Sequence, residues 1–353
     1  MATQERGEKL NALDSRSKNP LAADRPGRRE SPRRGRTARR WLGPLWRWVG
    51  LPAVTVVISS FVIFMALSVA PGDPLATVTG SHPTPETRAL LERQYGLDRP
   101  LIMQYLHWIG GVAQGDFGHS IAYRAPVWSL LAPRLGTSLF LVAYAGLLVI
   151  GFGLAAAVAG TIWRPLSSLL TVVSGICVSI PAYVAASVLS IVFATGLGWF
   201  PTLGAGEGFT DRLWHLTLPA VALAIGWGAY LSQVARAALR EQAGREHVET
   251  GVARGIPYLT VFRRHVVRNA AVPIVTVSAL VVASLIVGSV VVEVAFGIDG
   301  IGSFFVRSVQ TKDYASVEAI SLFLVLLVVV LTTVLDLLHT VLDPRLRDSG
   351  ASR

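Results

Sequence analysis

Long, unbroken apolar runs organise this chain, in place of alternating or one-sided patterns. Leu51 to Ala70 holds twenty residues without a charge. At about 1.5 Å per residue that crosses about 30 Å of hydrocarbon. Comparable runs cover Leu135–Ile162, Leu166–Gly206, Leu213–Ala235, Ala270–Val292 and Ala319–Leu335. The third run, Leu166–Gly206, has room for a span plus a further turn or re-entrant piece. The pattern therefore predicts six spans and leaves a seventh open. Hydrocarbon offers no water to backbone groups, so each span must be a helix. The expected fold is an all-α polytopic membrane protein with six transmembrane helices.

The polar stretches between the runs divide the rest. Residues 1–47 form a basic tail, 48–70 a first span, 71–134 a helical region outside the membrane, 135–342 the transmembrane core and 343–353 a short tail. Residues 1–40 are rich in Arg, Ser, Pro and Gly and are expected to be disordered. Within 71–134, Thr84-Pro85-Glu86 reads as a helix start: a hydroxyl cap, Pro at the first helical position and an acid in the first turn. Gly96 is a suitable terminator, and Pro100 opens an amphipathic helix carrying Tyr105 and Trp108. This region is either a cap facing a delivery protein or a scaffold on the membrane surface. Pro181, Pro219 and Pro273 fall inside apolar runs, where each removes a backbone donor and is expected to kink or start a helix.

Charge sets the orientation. With six spans and the N-terminus inside, 24 of the 32 Lys and Arg residues lie on the cytoplasmic side, as positive-inside bias requires. The net charge of +10 is thus a topology signal and excludes nothing but a need for nucleic acid to explain it. As lysines, only Lys9, Lys18 and Lys312 are present, none in a Gly-x-x-x-x-Gly-Lys-Ser/Thr loop, so no P-loop can cradle a nucleotide. Gly-x-Ser-x-Gly and His-Glu-x-x-His are both missing, which argues against a hydrolase. The single Cys177 permits no intramolecular disulfide and no cysteine metal cluster. Glu293, Asp299, Asp336 and His339 are ionisable residues in or near spans, and such residues are functional candidates by default. Asp336 and His339, three apart, suit an anchor at a helix end better than a proton relay.

One charged segment, Arg236 to Arg268, is not required by membrane burial. Its seven Arg place it inside, yet its residues favour helix, with Gly255-Ile256-Pro257 as the one obvious break. A short helix, a Pro turn and a second helix make a rigid knob that can fit a cleft on a soluble partner. Arg245, Arg254 and Arg263 offer charge-assisted contacts, and Gly255 permits close approach or positive φ. Glu249-Thr250-Gly251, three residues, then Gly255 resembles the Glu-Ala-Ala-x-x-x-Gly core of permease subunits of binding-protein-dependent ABC importers. The continuation Arg264-His265, Arg268-Asn269-Ala270 and Pro273 is similar to its form in the dipeptide, oligopeptide and nickel class. Ala70-Pro71-Gly72-Asp73-Pro74, Gly96-Leu97-Asp98-Arg99-Pro100, Gly115-Asp116-Phe117-Gly118, Leu218-Pro219-Ala220 and Asp343-Pro344-Arg345 extend the resemblance to the dipeptide permease B type over roughly residues 45 to 347. Gly251 departs from the usual second Ala, and His247 and Glu249 stand where that class more often has an aromatic residue and an Arg.

The resemblance implies a type I importer permease in the bacterial cytoplasmic (inner) membrane, both termini inside and without catalysis of its own. It implies a second, homologous permease, two ATPase subunits below that carry ATP and Mg, and an extracytoplasmic binding protein above. The coupling loop would be Glu249, Thr250, Gly251, Ala253, Arg254, Gly255, Ile256 and Pro257, with di- or oligopeptides as cargo. This chain would bind no cofactor and no metal. Nickel or another small solute is the alternative cargo. An ion-coupled secondary transporter is the alternative class, and would need midplane ionisable residues and inverted repeats.

Overall fold

The computed structural model describes residues 46–69, 84–94, 96 and 98–342. The basic tail, the Pro71-Gly72-Asp73-Pro74 motif and residues 343–353 lie outside the described residues, as do the side chains of Asp336 and His339.

After a π-helical turn at Trp46–Gly50, α1 covers Leu51–Val69. Two shorter helices follow, α2 at Pro85–Gln94 and α3 at Leu101–Ala113. The Thr84 hydroxyl accepts the Thr87 amide at 3.3 Å, the cap that its position before Pro85 predicted. A two-residue antiparallel ladder pairs β1 (His119–Ser120) with β2 (Ala125–Pro126), Ser120 opposite Ala125. Then come α4 (Val127–Ile162), α5 (Arg164–Ser179) and α6 (Ala182–Leu189), the last extended by a π-helical turn at Ser190–Gly196. The long α7 (Gly208–Ala243) leads to α8 (Glu246–Ala253) and the single turn α9 (Tyr258–Val261). A π-helical turn, Phe262–Val267, joins α9 to α10 (Arg268–Ala295), and α11 (Ile301–Gln310) and α12 (Tyr314–Leu342) complete the chain.

Five continuous stretches are long and apolar enough to span: Trp48–Val69, Val127–Ile162, Gly208–Ala243, Tyr258–Ala295 and Tyr314–Val334. The long third run is a broken span, Pro165–Ser179 and Ala182–Gly196, bent by 99°. Pro181 causes the break: it lacks an amide hydrogen, and it pushes Ile180 into extended backbone (ψ 116°). The broken pair still runs from one end of the bundle to the other. At its start, Arg236 Nη1 of α7 donates to the Ser167 carbonyl at 3.1 Å. Beyond its finish, the Gly204 amide donates to the Phe296 carbonyl, past the far end of α10, at 3.0 Å. The C-terminal part of α7 packs with the N-terminal part of α10, so these two ties mark opposite ends. Counting the pair once gives six crossings. Pro219 and Pro273 lie within continuous helices and start none.

Packing falls into three groups. The central one joins α4, α6, α7 and α10 through Leu141, Val149, Ala186, Leu223, Leu231 and Leu285. A second, at the loop end, gathers Ala157, Leu239, Val248, Val261, Phe262 and Val266. The third, at the opposite end, holds Leu131, Ile301, Phe304 and Ile320. Lipid tails are as apolar as these side chains, so shape fit and polar ties hold the helices together more than burial does. One such tie fixes α3 to α1: Ser60 Oγ and Tyr105 OH lie 3.0 Å apart, with Phe61 and Phe64 set edge-on to the Tyr105 ring.

Candidate functional site

Residues 244–268 fold as the knob their sequence suggests. Val248 is the one buried residue of α8, and it packs into the group formed by Leu239, Val261, Phe262 and Val266. One apolar peg therefore fixes the helix while its other faces stay open. Gly255 ends the helix with φ +79°. Its amide donates to the Val252 carbonyl (2.9 Å), and the Ile256 amide reaches back to the Gly251 carbonyl (3.3 Å). That pair of bonds is the Schellman closure, and its left-handed residue suits glycine. Pro257 then caps α9 with extended backbone.

Glu249, Thr250, Ala253, Arg254, Gly255, Ile256 and Pro257 are all exposed, and Gly251 is half-buried. Val252, Ile256, Tyr258 and Leu259 add large apolar side chains to the same open surface. Val252 and Ile256 precede the Tyr258–Ala295 stretch. At 38 residues that stretch is longer than about 30 Å of hydrocarbon needs, so its first turn projects past the apolar layer. Exposed apolar groups there have no hydrocarbon to cover them, which marks a contact surface. The arginines divide by role. Arg236 and Arg240 turn back to Ser167 on α5, and Arg245 pairs with Glu241 at 2.8 Å. Arg254, Arg263, Arg264 and Arg268 are exposed and form no ion pair among the described residues. Arg254 and Arg263 thus remain open to a partner, whereas Arg245 is already engaged. Asn269 and Pro273 are exposed on the first turns of α10, and the His247 and His265 rings lie 6.1 Å apart.

The other end of the bundle holds Glu293 and Asp299. Glu293 is fully buried, with Oε1 accepting from Ser138 Oγ (2.6 Å) and Oε2 from the Ser303 amide (3.1 Å). Ser138 Oγ in turn accepts the Ile301 amide at 2.8 Å. The carboxylate therefore sits at the N-terminus of α11, where free amides favour an anion, and ties α4, α10 and α11 together. Glycines make the room: a Cβ on Gly302 would lie 2.5 Å from Val290 Cα, and one on Gly300 would collide with Glu293 Oε2. Asp299 bridges Arg134 (2.9 Å) and Arg307 (2.8 Å), while Arg134 also lies over the Phe304 ring at 4.6 Å. Glu293 and Asp299 thus tie the helices together at this end.

Sequence reasoning missed three residues that organise the site. Asp313 is buried and accepts from Ser120 Oγ (2.6 Å), the Ile121 amide (3.2 Å) and Ser316 Oγ (2.6 Å), joining the β ladder to α12. An acid just before a helix with Ser three residues on was the available signal. Val248 and Arg134 carried no signal, because each depends on distant partners. No group of three His, Cys, Asp or Glu among the described residues could hold a metal.

Sequence comparisons with known proteins agree on the family. The binding-protein-dependent transport system inner membrane component family matches residues 149–348, and its N-terminal companion family matches residues 44–142. The glutathione transport system permease protein GsiC of Escherichia coli (strain K12) is 33% identical over 297 residues, 83% of this chain and 95% of the relative. A probable peptide ABC transporter permease protein, y4tP, of Sinorhizobium fredii (strain NBRC 101917 / NGR234) is 31% identical over 309 residues, 86% of this chain and 98% of that protein. An inward-facing MetNI methionine ABC transporter chain shares 17% identity at a TM-score of 0.49, covering 61% of this chain and 96% of its own. With the family match spanning most of the membrane-crossing core, the chain belongs to the binding-protein-dependent transport system inner membrane components, the permease subunits of ABC importers.

Proposed function

We propose that this permease imports di- or oligopeptides, with short peptides of the size of glutathione included. The names of its relatives support that cargo: one is a glutathione permease and another a probable peptide permease. It works beside a second, homologous permease, with two ATPase subunits beneath and an extracytoplasmic binding protein above. ATP and Mg belong to the ATPase subunits, and this chain binds no nucleotide. The loop end of the bundle faces the cytoplasm together with both termini, in keeping with the 24 basic residues on that side. It needs no nucleic acid and works within the lipid bilayer.

The observation that carries this reading is the knob at 244–268. It is pegged to the bundle by Val248, Val261, Phe262 and Val266, while Ile256 and Leu259 are exposed beside Arg254 and Arg263, which form no ion pair among the described residues. A cleft on an ATPase subunit fits that surface, and Glu249–Ile256 acts as the lever. Closure of the ATPases would push α8, and the buried Val248 would pass that motion to α7 and α10. The test is uptake of labelled dipeptide, oligopeptide, glutathione and nickel in a strain lacking the chain. Restored peptide uptake on re-expression supports the reading. Restored nickel uptake alone overturns the cargo and leaves the importer class intact.

A further inference from the structure

We propose that the cytoplasmic half of the bundle holds an anionic phospholipid, headgroup phosphate at Arg236 and Arg240 and one acyl chain in the fissure between α4, α5 and α7. The fissure is about 270 Å³ and is lined by Leu148 and Phe152 of α4, Leu170 and Val173 of α5, and Val221 and Ile225 of α7. Its wall is almost wholly apolar, so it suits a hydrocarbon chain and not a peptide or an ion. Ser232 also lines it and is 3% exposed, and its hydroxyl has no hydrogen-bond partner among the described residues. A buried hydroxyl without a partner is costly and points to a ligand atom, such as an ester oxygen, that the protein does not supply.

One turn beyond Ser232 on the same helix stands Arg236, only 4% exposed. Its Nη1 donates to the Ser167 carbonyl at 3.1 Å, and Arg240, four residues on, reaches Ser167 Oγ. Neither guanidinium has a carboxylate partner among the described residues. Two like charges side by side without an acid are an unfavourable arrangement that an anion relieves. Arginine forks match phosphate geometry, and basic pockets between spans on the cytoplasmic side bind acidic headgroups. The charge site adjoins the fissure. A Cβ built on Gly160 would lie 3.2 Å from both Arg236 Cδ and Leu170 Cδ1, so the arginine stem and a residue of the fissure wall both lie against Gly160.

The full-length protein, purified with whatever subunits accompany it, is stripped of lipid and titrated with dioleoyl phosphatidylglycerol or dioleoyl phosphatidylcholine. Bound lipid is counted by native mass spectrometry. The proposal expects clear preference for phosphatidylglycerol. Arg240→Gln, at an exposed position, should weaken it about fivefold, since each surface cation contributes about 1 kcal/mol, and leave phosphatidylcholine unchanged. Val173→Trp, which fills the fissure from its open side, should lower phosphatidylglycerol binding with Arg236 and Arg240 intact. Glycerophosphoglycerol, the headgroup without chains, should not compete. Equal binding of the two lipids, no effect of Arg240→Gln, no effect of Val173→Trp, or full competition by the free headgroup would each overturn it.

Discussion

Gly255→Val isolates the shape of the docking knob from its chemistry. Gly255 has φ +79°, and no atom lies within 4 Å of where a Cβ would stand. The cost of a side chain is therefore backbone strain and not collision within the chain. An L-residue in the left-handed region costs roughly 1–2 kcal/mol, and a β-branched residue lies at or above the top of that range. At about 2 kcal/mol, the ratio of native to non-native knob falls about 30-fold. Because the position lies outside the spans, membrane insertion should be unaffected. Asn tolerates this conformation, so Gly255→Asn should retain most transport, Gly255→Ala less and Gly255→Val least. Labelled-peptide uptake is measured for each at matched membrane levels, alongside ATPase recovered with the purified permease. Wild-type uptake by Gly255→Val, or equal damage by Asn and Val, would refute the conformational argument.

Gly251→Ala should stabilise α8 by roughly 1 kcal/mol through helix propensity. Its Cβ would meet Val261 at 3.4 and 3.6 Å, ordinary contact, so uptake should persist and protease resistance of the loop should rise. Gly302→Ala should destabilise the protein by roughly 1–3 kcal/mol, because Val290 Cα at 2.5 Å is backbone and cannot step aside; a thermal unfolding midpoint equal to wild type would contradict this. With Cys177 replaced by Ser, cysteine at Glu86 should react with an impermeant thiol reagent in intact cells and cysteine at His247 should not. The reverse labelling would invert the topology.

The spans were legible because membrane burial demands long apolar runs, and those runs are local. The break in the third was legible only as a long run containing Pro181; the proline marks where the helix stops but does not record the 99° at which the chain resumes. The knob was legible because Gly255 and Pro257 punctuate helix-forming sequence. Its peg was not, since Val248 becomes an anchor only when Leu239 and Phe262 surround it. The same holds for Glu293, which in sequence is an acid at the end of a span. Its partner Ser138 is 155 residues away. Arg236 and Arg240 counted only toward inside charge, and their shared contact with Ser167 emerges when α5 lies against α7.

The most direct test of the central claim is affinity purification of the tagged permease from its own membranes, followed by assay of ATP hydrolysis in the eluate. The account predicts that ATPase subunits come with wild type and are lost with Gly255→Val, while the isolated chain neither binds nor hydrolyses ATP. A permease that purifies alone, accumulates solute in vesicles on an imposed proton or sodium gradient, and ignores ATP would contradict it.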